Sequence, residues 1–177
     1  NLYGALLYSR DAGNSREDLV EAVFHTRVPM AALEQRETFH TLLADALEEE
    51  CSFDTVQAVQ GRLCAMIQEH KESKVPEPLT VTKGTVKGVL ASCGVSPEHV
   101  EAFGSRYDES FGADTDLSPR NLVDPRLLEV KTPDVTVRVS PERSDLVETR
   151  VLGGVKYILI RADEGVELNG VDIRIGD

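Results

Sequence analysis

The chain has 177 residues, enough for one sizeable domain or two small ones with a buried core. Its 41% hydrophobic and 28% charged content is that of a globular protein, and its net charge of −12 opposes phosphate backbones and anionic lipid. These figures weigh against a nucleic-acid groove lined by Lys and Arg, and no apolar run approaches the ~18 residues that span a bilayer.

Residues 2–8 are a short apolar stretch, read as a strand or as the tail of an element begun upstream. The opening NLYGALLYSR lacks a basic n-region, a long apolar core and a small-residue cleavage site, so a signal peptide is not expected. With no initiator Met, the chain reads as a fragment of something longer. Ser15 offers a helix N-cap, and Leu19, Val20, Val23 and Phe24 form one helical stripe. A break over residues 26–29 leads into a second helix, with Pro29 in its first turn. Leu33, Phe39, Leu42, Leu43, Ala46 and Leu47 keep helical spacing there. Ser52 starts a third helix with Val56, Val59, Leu63 and Ile67 on one face.

Glu77-Pro78 marks a linker, because the residue before proline is pushed out of the helical region. Leu79-Thr80-Val81 is read as a short strand. Thr82 then caps a helix carrying Val86, Val89, Leu90 and Cys93, stopped by Gly94. Ser96-Pro97-Glu98 starts the next helix, with Val100, Phe103, Tyr107 and Phe111 as its buried stripe and Gly112 at its end. Residues 113–125 are turn-rich. Alternation then takes over, with Val135, Val137 and Val139 on one side and Thr136 and Arg138 on the other. Gly153-Gly154 and Asn169-Gly170 supply the positive φ of two tight hairpin turns. The fold class expected is α+β, N-terminal amphipathic helices followed by an antiparallel β unit built from hairpins. Three segments follow: a helical layer over 1–75, a linker strand and helical pair over 76–112, and the β unit over 113–177. They are read as one compact fragment.

Few constellations point to chemistry. Val89, Cys93, Val95, Val100 and Phe103 around Gly94 match helix-turn-helix positions. The would-be recognition helix, however, carries Glu98, Glu101, Asp108 and Glu109 against Arg106 alone and would repel phosphate. His25, His40, His70 and His99 are far apart, without a C-x-x-C or H-E-x-x-H pattern. Asp114 and Asp116 are turn formers, since the glycine and closing glutamate of a calcium loop are absent. There is no G-x-S-x-G elbow, and Gly153-Gly154-Val155-Lys156 lacks the spacing of a phosphate loop. Glu48, Glu49 and Glu50 read as a solvated face. Cys51, Cys64 and Cys93 read as reduced, small hydrophobes, which suits the cytoplasm. No cofactor, metal or membrane contact is expected.

Two longer stretches carry a resemblance. ALLYSRDAGNSREDLVEAVFHTRVPMAALEQRETFHTLLADALEEECSFDTVQAV resembles the middle section of the bacterial domain-of-unknown-function family 4317. VKTPDVTVRVSPERSDLVETRV and GVELNGVDI resemble its C-terminal signature. The resemblance implies an N-terminal portion of comparable size before this region, and it brings no functional residues. The order of elements is also similar to the C-terminal half of the nucleoid-associated proteins of about 37 kDa, an analogy of pattern that does not establish function. Phe24 and Glu34-Gln35 are its anchors, while His25-Thr26 stands where those proteins have Gly-Cys.

The expectation is a binding or scaffolding module without enzymatic activity. The alternatives are a nucleoid-associated protein acting with its N-terminal half, and an enzyme whose site lies at the interface to that half. The partners expected are that N-terminal portion, with Leu2, Leu6, Leu7 and Tyr8 exposed where it packs, and further copies of the chain. The face singled out for function is the polar set Lys131, Asp134, Asp145, Glu148 and Arg150, which charge pairing across neighbouring strands also explains.

Overall fold

The computed structural model describes residue 22 and residues 30–163 and 165–176. The strand expected over 2–8, its apolar patch, the break over 26–29 and, but for Ala22, the helix begun at Ser15 lie outside the described residues. The remainder is α+β, with helices first and antiparallel hairpins last.

Helix α1, Ala32–Leu47, buries Phe39, Leu42, Leu43, Ala46 and Leu47, the residues its spacing selects. Leu33 departs from the expected stripe and is 66% exposed. At about 3.6 residues per turn it falls off the arc that the other five share. Helix α2, Phe53–Ser73, starts at Ser52, whose Oγ accepts the Thr55 N–H at 3.1 Å. It buries Thr55, Val59, Leu63 and Ile67, and Val56 is half-buried. Helix α3, Lys83–Ser92, is capped in the same way by Thr82 on Thr85 N–H. Val86 and Leu90 are buried, but Cys93 is exposed, because it lies past the last turn where Gly94 (φ 82°) redirects the chain. Helix α4, Pro97–Phe111, buries Val100, Phe103, Gly104 and Tyr107 and stops at Gly112.

The core is built on aromatic contacts between α1 and α4. Phe39 meets Phe103 edge-on at 6.3 Å and 86°, Phe103 meets Tyr107 at 6.0 Å, and Tyr107 meets Phe111 at 5.0 Å. The Tyr107 hydroxyl donates to the Thr115 carbonyl at 2.7 Å, so the ring also orders the following loop. Burial, then Asp116 and Asp108, push its pKa up to about 12.

That loop is more than a set of turns. Leu117 and Val81 exchange backbone hydrogen bonds at 2.8 and 3.1 Å, and this single bridge is all that forms of the strand expected at Leu79–Val81. One turn of helix follows, α5, Pro119–Leu122, and Leu117, Pro119, Leu122 and Val123 are buried. Asn121 holds α5 to α1, donating to Gln35 Oε1 at 2.9 Å and accepting at its carbonyl from Arg36 Nε at 3.2 Å.

Among the described residues, six strands follow as three separate antiparallel hairpins: β1 (Leu128–Lys131) with β2 (Thr136–Val139), β3 (Val147–Leu152) with β4 (Val155–Ile160), and β5 (Val166–Leu168) with β6 (Val171–Ile173). Gly153 and Gly154 (φ 59° and 82°) and Asn169 and Gly170 (φ 52° and 85°) make the second and third turns, two positive φ values each, as a primed turn requires. A six-residue 3-10 segment, Pro141–Leu146, joins β2 to β3.

Glu50 does not behave as part of a solvated face. Glu48 turns the chain with φ 46° and ψ −115°, and Glu50 Oε2 accepts the Ser96 N–H at 2.9 Å. It thereby caps α4 from a distant part of the chain, where a carboxylate also favours the helix dipole. His99 Nδ1 lies 2.9 Å from the same oxygen, in an ionic contact without hydrogen-bond alignment. The His99 contact and the Ser96 hydrogen bonds lower the Glu50 pKa, while Glu50, with Glu48 and Glu98 adding to it, raises that of His99.

Two outcomes follow from this packing. Phe103→Ala should destabilise the fold by about 3–5 kcal/mol in urea unfolding, the usual cost of emptying a buried aromatic site. The Glu50–His99 contact should stabilise most between pH 4.5 and 6.5, the ordinary values of the two groups. Its Glu50 part is lost as pH falls through the lowered carboxyl value, and its His99 part as pH rises through the raised imidazole value. Melting temperatures of wild type and Glu50→Gln should therefore differ most inside that window, and a difference independent of pH would show the pairing to be inert.

Candidate functional site

A cavity of mixed polar and apolar lining sits where the helices meet the start of the β region. It holds about 360 Å³ and is walled by Arg36 and His40 of α1, Gln57, Gln60, Gly61 and Cys64 of α2, and Leu122 to Asp124. Leu127, Leu128, Glu129, Pro141 and Ser144 close the other side. Its geometry follows from local sequence. Arg36 and His40 are four apart on α1, and residues 57, 60, 61 and 64 form one stripe of α2. That stripe adjoins the buried one of Val59, Leu63 and Ile67, so the α2 face that leaves the core opens into the cavity.

Two of the cavity's groups, His40 and Cys64, are shifted towards their neutral forms. Partial burial lowers the His40 pKa, Arg36 adds to that, and the Leu122 backbone works the other way. Burial also raises the Cys64 pKa, with Asp124 adding to it. A thiol held above its usual range stays protonated at neutral pH and is a poor nucleophile. Glu129, on the rim, is held below the usual carboxylate range by Arg138 at 2.8 Å and by Lys131 at 3.2 Å. The arrangement suits a neutral or mixed-charge ligand better than covalent catalysis. Among the described residues, no three His, Cys, Asp or Glu side chains gather as metal ligands would.

The five residues of the expected functional face are distributed over the β region. Lys131 ends β1 and pairs with Glu129 at 3.2 Å, and Asp134 lies in the exposed turn before β2. Asp145 accepts from Arg161 Nη2 at 2.8 Å, and Arg150 lies 3.0 Å from Glu148. Asp145, Glu148 and Arg150 share an open concavity of about 450 Å³ on the β3–β4 hairpin, and Lys131 and Asp134 are not part of its lining. The Glu148–Arg150 contact runs along one strand, two residues apart, whereas Glu129–Arg138 spans a directly opposed pair of β1 and β2. Sequence reasoning missed Arg36, His40, Cys64 and Asp124. The available signal was the polar stripe of α2 beside its apolar one.

Helices closed around an aromatic core, followed by exposed hairpins, define this as an α+β domain with a cavity at the seam. Residues 1–171 match the family described as Domain of unknown function (DUF4317), and the chain belongs to that family. No curated protein and no solved structure matches the chain. Among the described residues, no helix is long and apolar enough to cross a membrane.

The cysteines give a direct check on the cavity. Cys93 is exposed, whereas Cys51 and Cys64 are half-buried with thiols raised by burial. In the native protein a maleimide at pH 7 should label Cys93 first, with Cys64 following at least about tenfold more slowly. Peptide mapping by mass spectrometry reads the order, and fast labelling at Cys64 would contradict a protonated, sheltered thiol.

Proposed function

We propose that this domain is a non-enzymatic binding module, a closed helical body that presents β hairpins to a macromolecular partner. One observation carries the reading: most apolar residues of the helices are buried together, while most of those of the last two hairpins stand in solvent. Val151, Leu168 and Val171 are 66%, 60% and 62% exposed, and Ile160 and Ile175 are exposed as well. Leu168 and Val171 are directly opposed on β5 and β6, and uncovered apolar side chains grouped in this way, rather than scattered singly, mark contact sites.

The charge distribution favours a protein partner over nucleic acid. The lysines of α3 and the arginine of α4 lie beside carboxylates of the same fold: Lys83 on Asp108 at 2.5 Å, Lys87 on Glu101 at 2.8 Å, and Arg106 near Asp45 at 3.9 Å. Cations engaged in this way release few counterions on meeting phosphate.

The triple variant Ile160→Thr, Leu168→Ser, Val171→Ser separates contact surface from core. Its melting temperature should stay within about 2 °C of wild type, as for surface substitutions in a domain of this size. Fluorescence of a hydrophobic dye on the folded protein should fall severalfold. A fall in melting temperature of about 10 °C or more would place these residues in the core and end the reading.

A further inference from the structure

Among the described residues β3 pairs with β4 alone, so its other edge is unpartnered. The direction of its backbone groups is set by the hairpin. Leu152 and Val155 close the two-residue turn, and beyond the strands the Arg161 N–H donates to the Leu146 carbonyl at 2.8 Å. Even-numbered residues of β3 therefore bond to β4, and Thr149 and Val151 turn their N–H and C=O groups to the open edge, while the buried Val147 already donates its N–H to the Ser144 carbonyl.

That edge is its own complement. Set antiparallel about a twofold axis at Thr149, a second copy places Glu148 opposite the partner's Arg150 and Arg150 opposite the partner's Glu148. The same register puts Val147 opposite the partner's Val151, Thr149 opposite the partner's Thr149, and Leu146 opposite the partner's Leu152. The neighbouring registers with the same backbone direction, centred on Glu148 or Arg150, set Glu148 against the partner's Glu148 or Arg150 against the partner's Arg150. Each leaves a charge without its opposite. The central residues are open to a partner, with the Arg150 and Glu148 side chains 58% and 52% exposed.

We propose that the domain self-associates through β3, by twofold antiparallel pairing of two copies centred on Thr149. This rests on the binding-module reading and names the partner as a second copy of the chain. A lone two-stranded hairpin is marginal in water, and the pairing converts two of them into a four-stranded sheet, β4-β3-β3-β4. It also satisfies the edge groups of Thr149 and Val151, and it exchanges the Glu148–Arg150 contact within each strand for two contacts between strands.

Charge reversal tests the register. By light scattering after gel filtration, the full chain should have twice its 19.4 kDa monomer mass. Glu148→Arg and Arg150→Glu should each weaken association at least about tenfold, because each puts like charges opposite one another across the axis. Mixing the two variants should restore a dimer, since each strand then meets its opposite, and so should the double variant carrying both reversals. Thr149→Cys in a Cys93→Ser background should form an intermolecular disulfide at the axis, where opposed Cα atoms lie about 5.5 Å apart.

A monomer at about 100 µM, or a dimer indifferent to both reversals and to mixing, overturns the proposal. If hydrogen exchange in such a monomer showed the β3 edge amides protected, another segment of the same chain would be the occupant, which also overturns it. In either case the binding-module reading stands or falls separately, on the melting temperature and dye response of the Ile160, Leu168 and Val171 variant.

Discussion

The packing of α4 against α1 through Phe103 and Tyr107 is the contact on which the rest of the domain depends. Phe103 is fully buried between the Phe39 and Tyr107 rings, and Tyr107 carries the order outward through its hydroxyl bond to Thr115. A hydroxyl with its partner in place lets the whole ring be buried without an unsatisfied polar group. From Thr115 the chain runs directly into the Leu117–Val81 bridge and the buried turn at Pro119–Leu122. That turn forms one wall of the seam cavity. The cavity is thus a consequence of how the aromatic core is closed.

The hairpins obey a different physics. Among the described residues each is a separate two-stranded ribbon, and such ribbons do not close a core of their own. Their turns are well specified, with paired positive-φ residues at Gly153-Gly154 and Asn169-Gly170. Their apolar side chains nonetheless remain largely in solvent. A rigidly turned but uncovered strand pair is well suited to adding strands from a partner, because its register is already set before contact. In the proposed pairing, the opposite charges on β3 give the contact its selectivity.

Much of this was legible residue by residue. Ser52 and Thr82 cap the helices they precede, Pro97 and Gly112 bound α4, and the Gly-Gly and Asn-Gly turns sit between the strands expected around them. These signals act over three or four residues, so neighbours in the chain are enough to specify them. Leu33, six residues from Phe39, falls off the arc that the other apolar residues of α1 share and points away from the core. Among the five residues of the expected functional face, the β3–β4 concavity gathers Asp145, Glu148 and Arg150, because a hairpin brings those positions together and leaves Lys131 and Asp134 on another ribbon.

The sequence by itself determined the α+β class, the bounds of the principal helices and hairpins, and the acidity that shapes any partnership, since propensity, capping, turn chemistry and charge are local or additive. Tertiary structure alone decided that Glu50 caps α4 across 46 residues of chain, that His40 and Cys64 share a cavity with shifted charge behaviour, and that a turn-rich stretch supplies core residues Leu117, Leu122 and Val123. Each of these depends on which faces meet after the helices pack. Contact between distant segments sets desolvation and pairing, and those quantities have no signature in the spacing of residues along the chain.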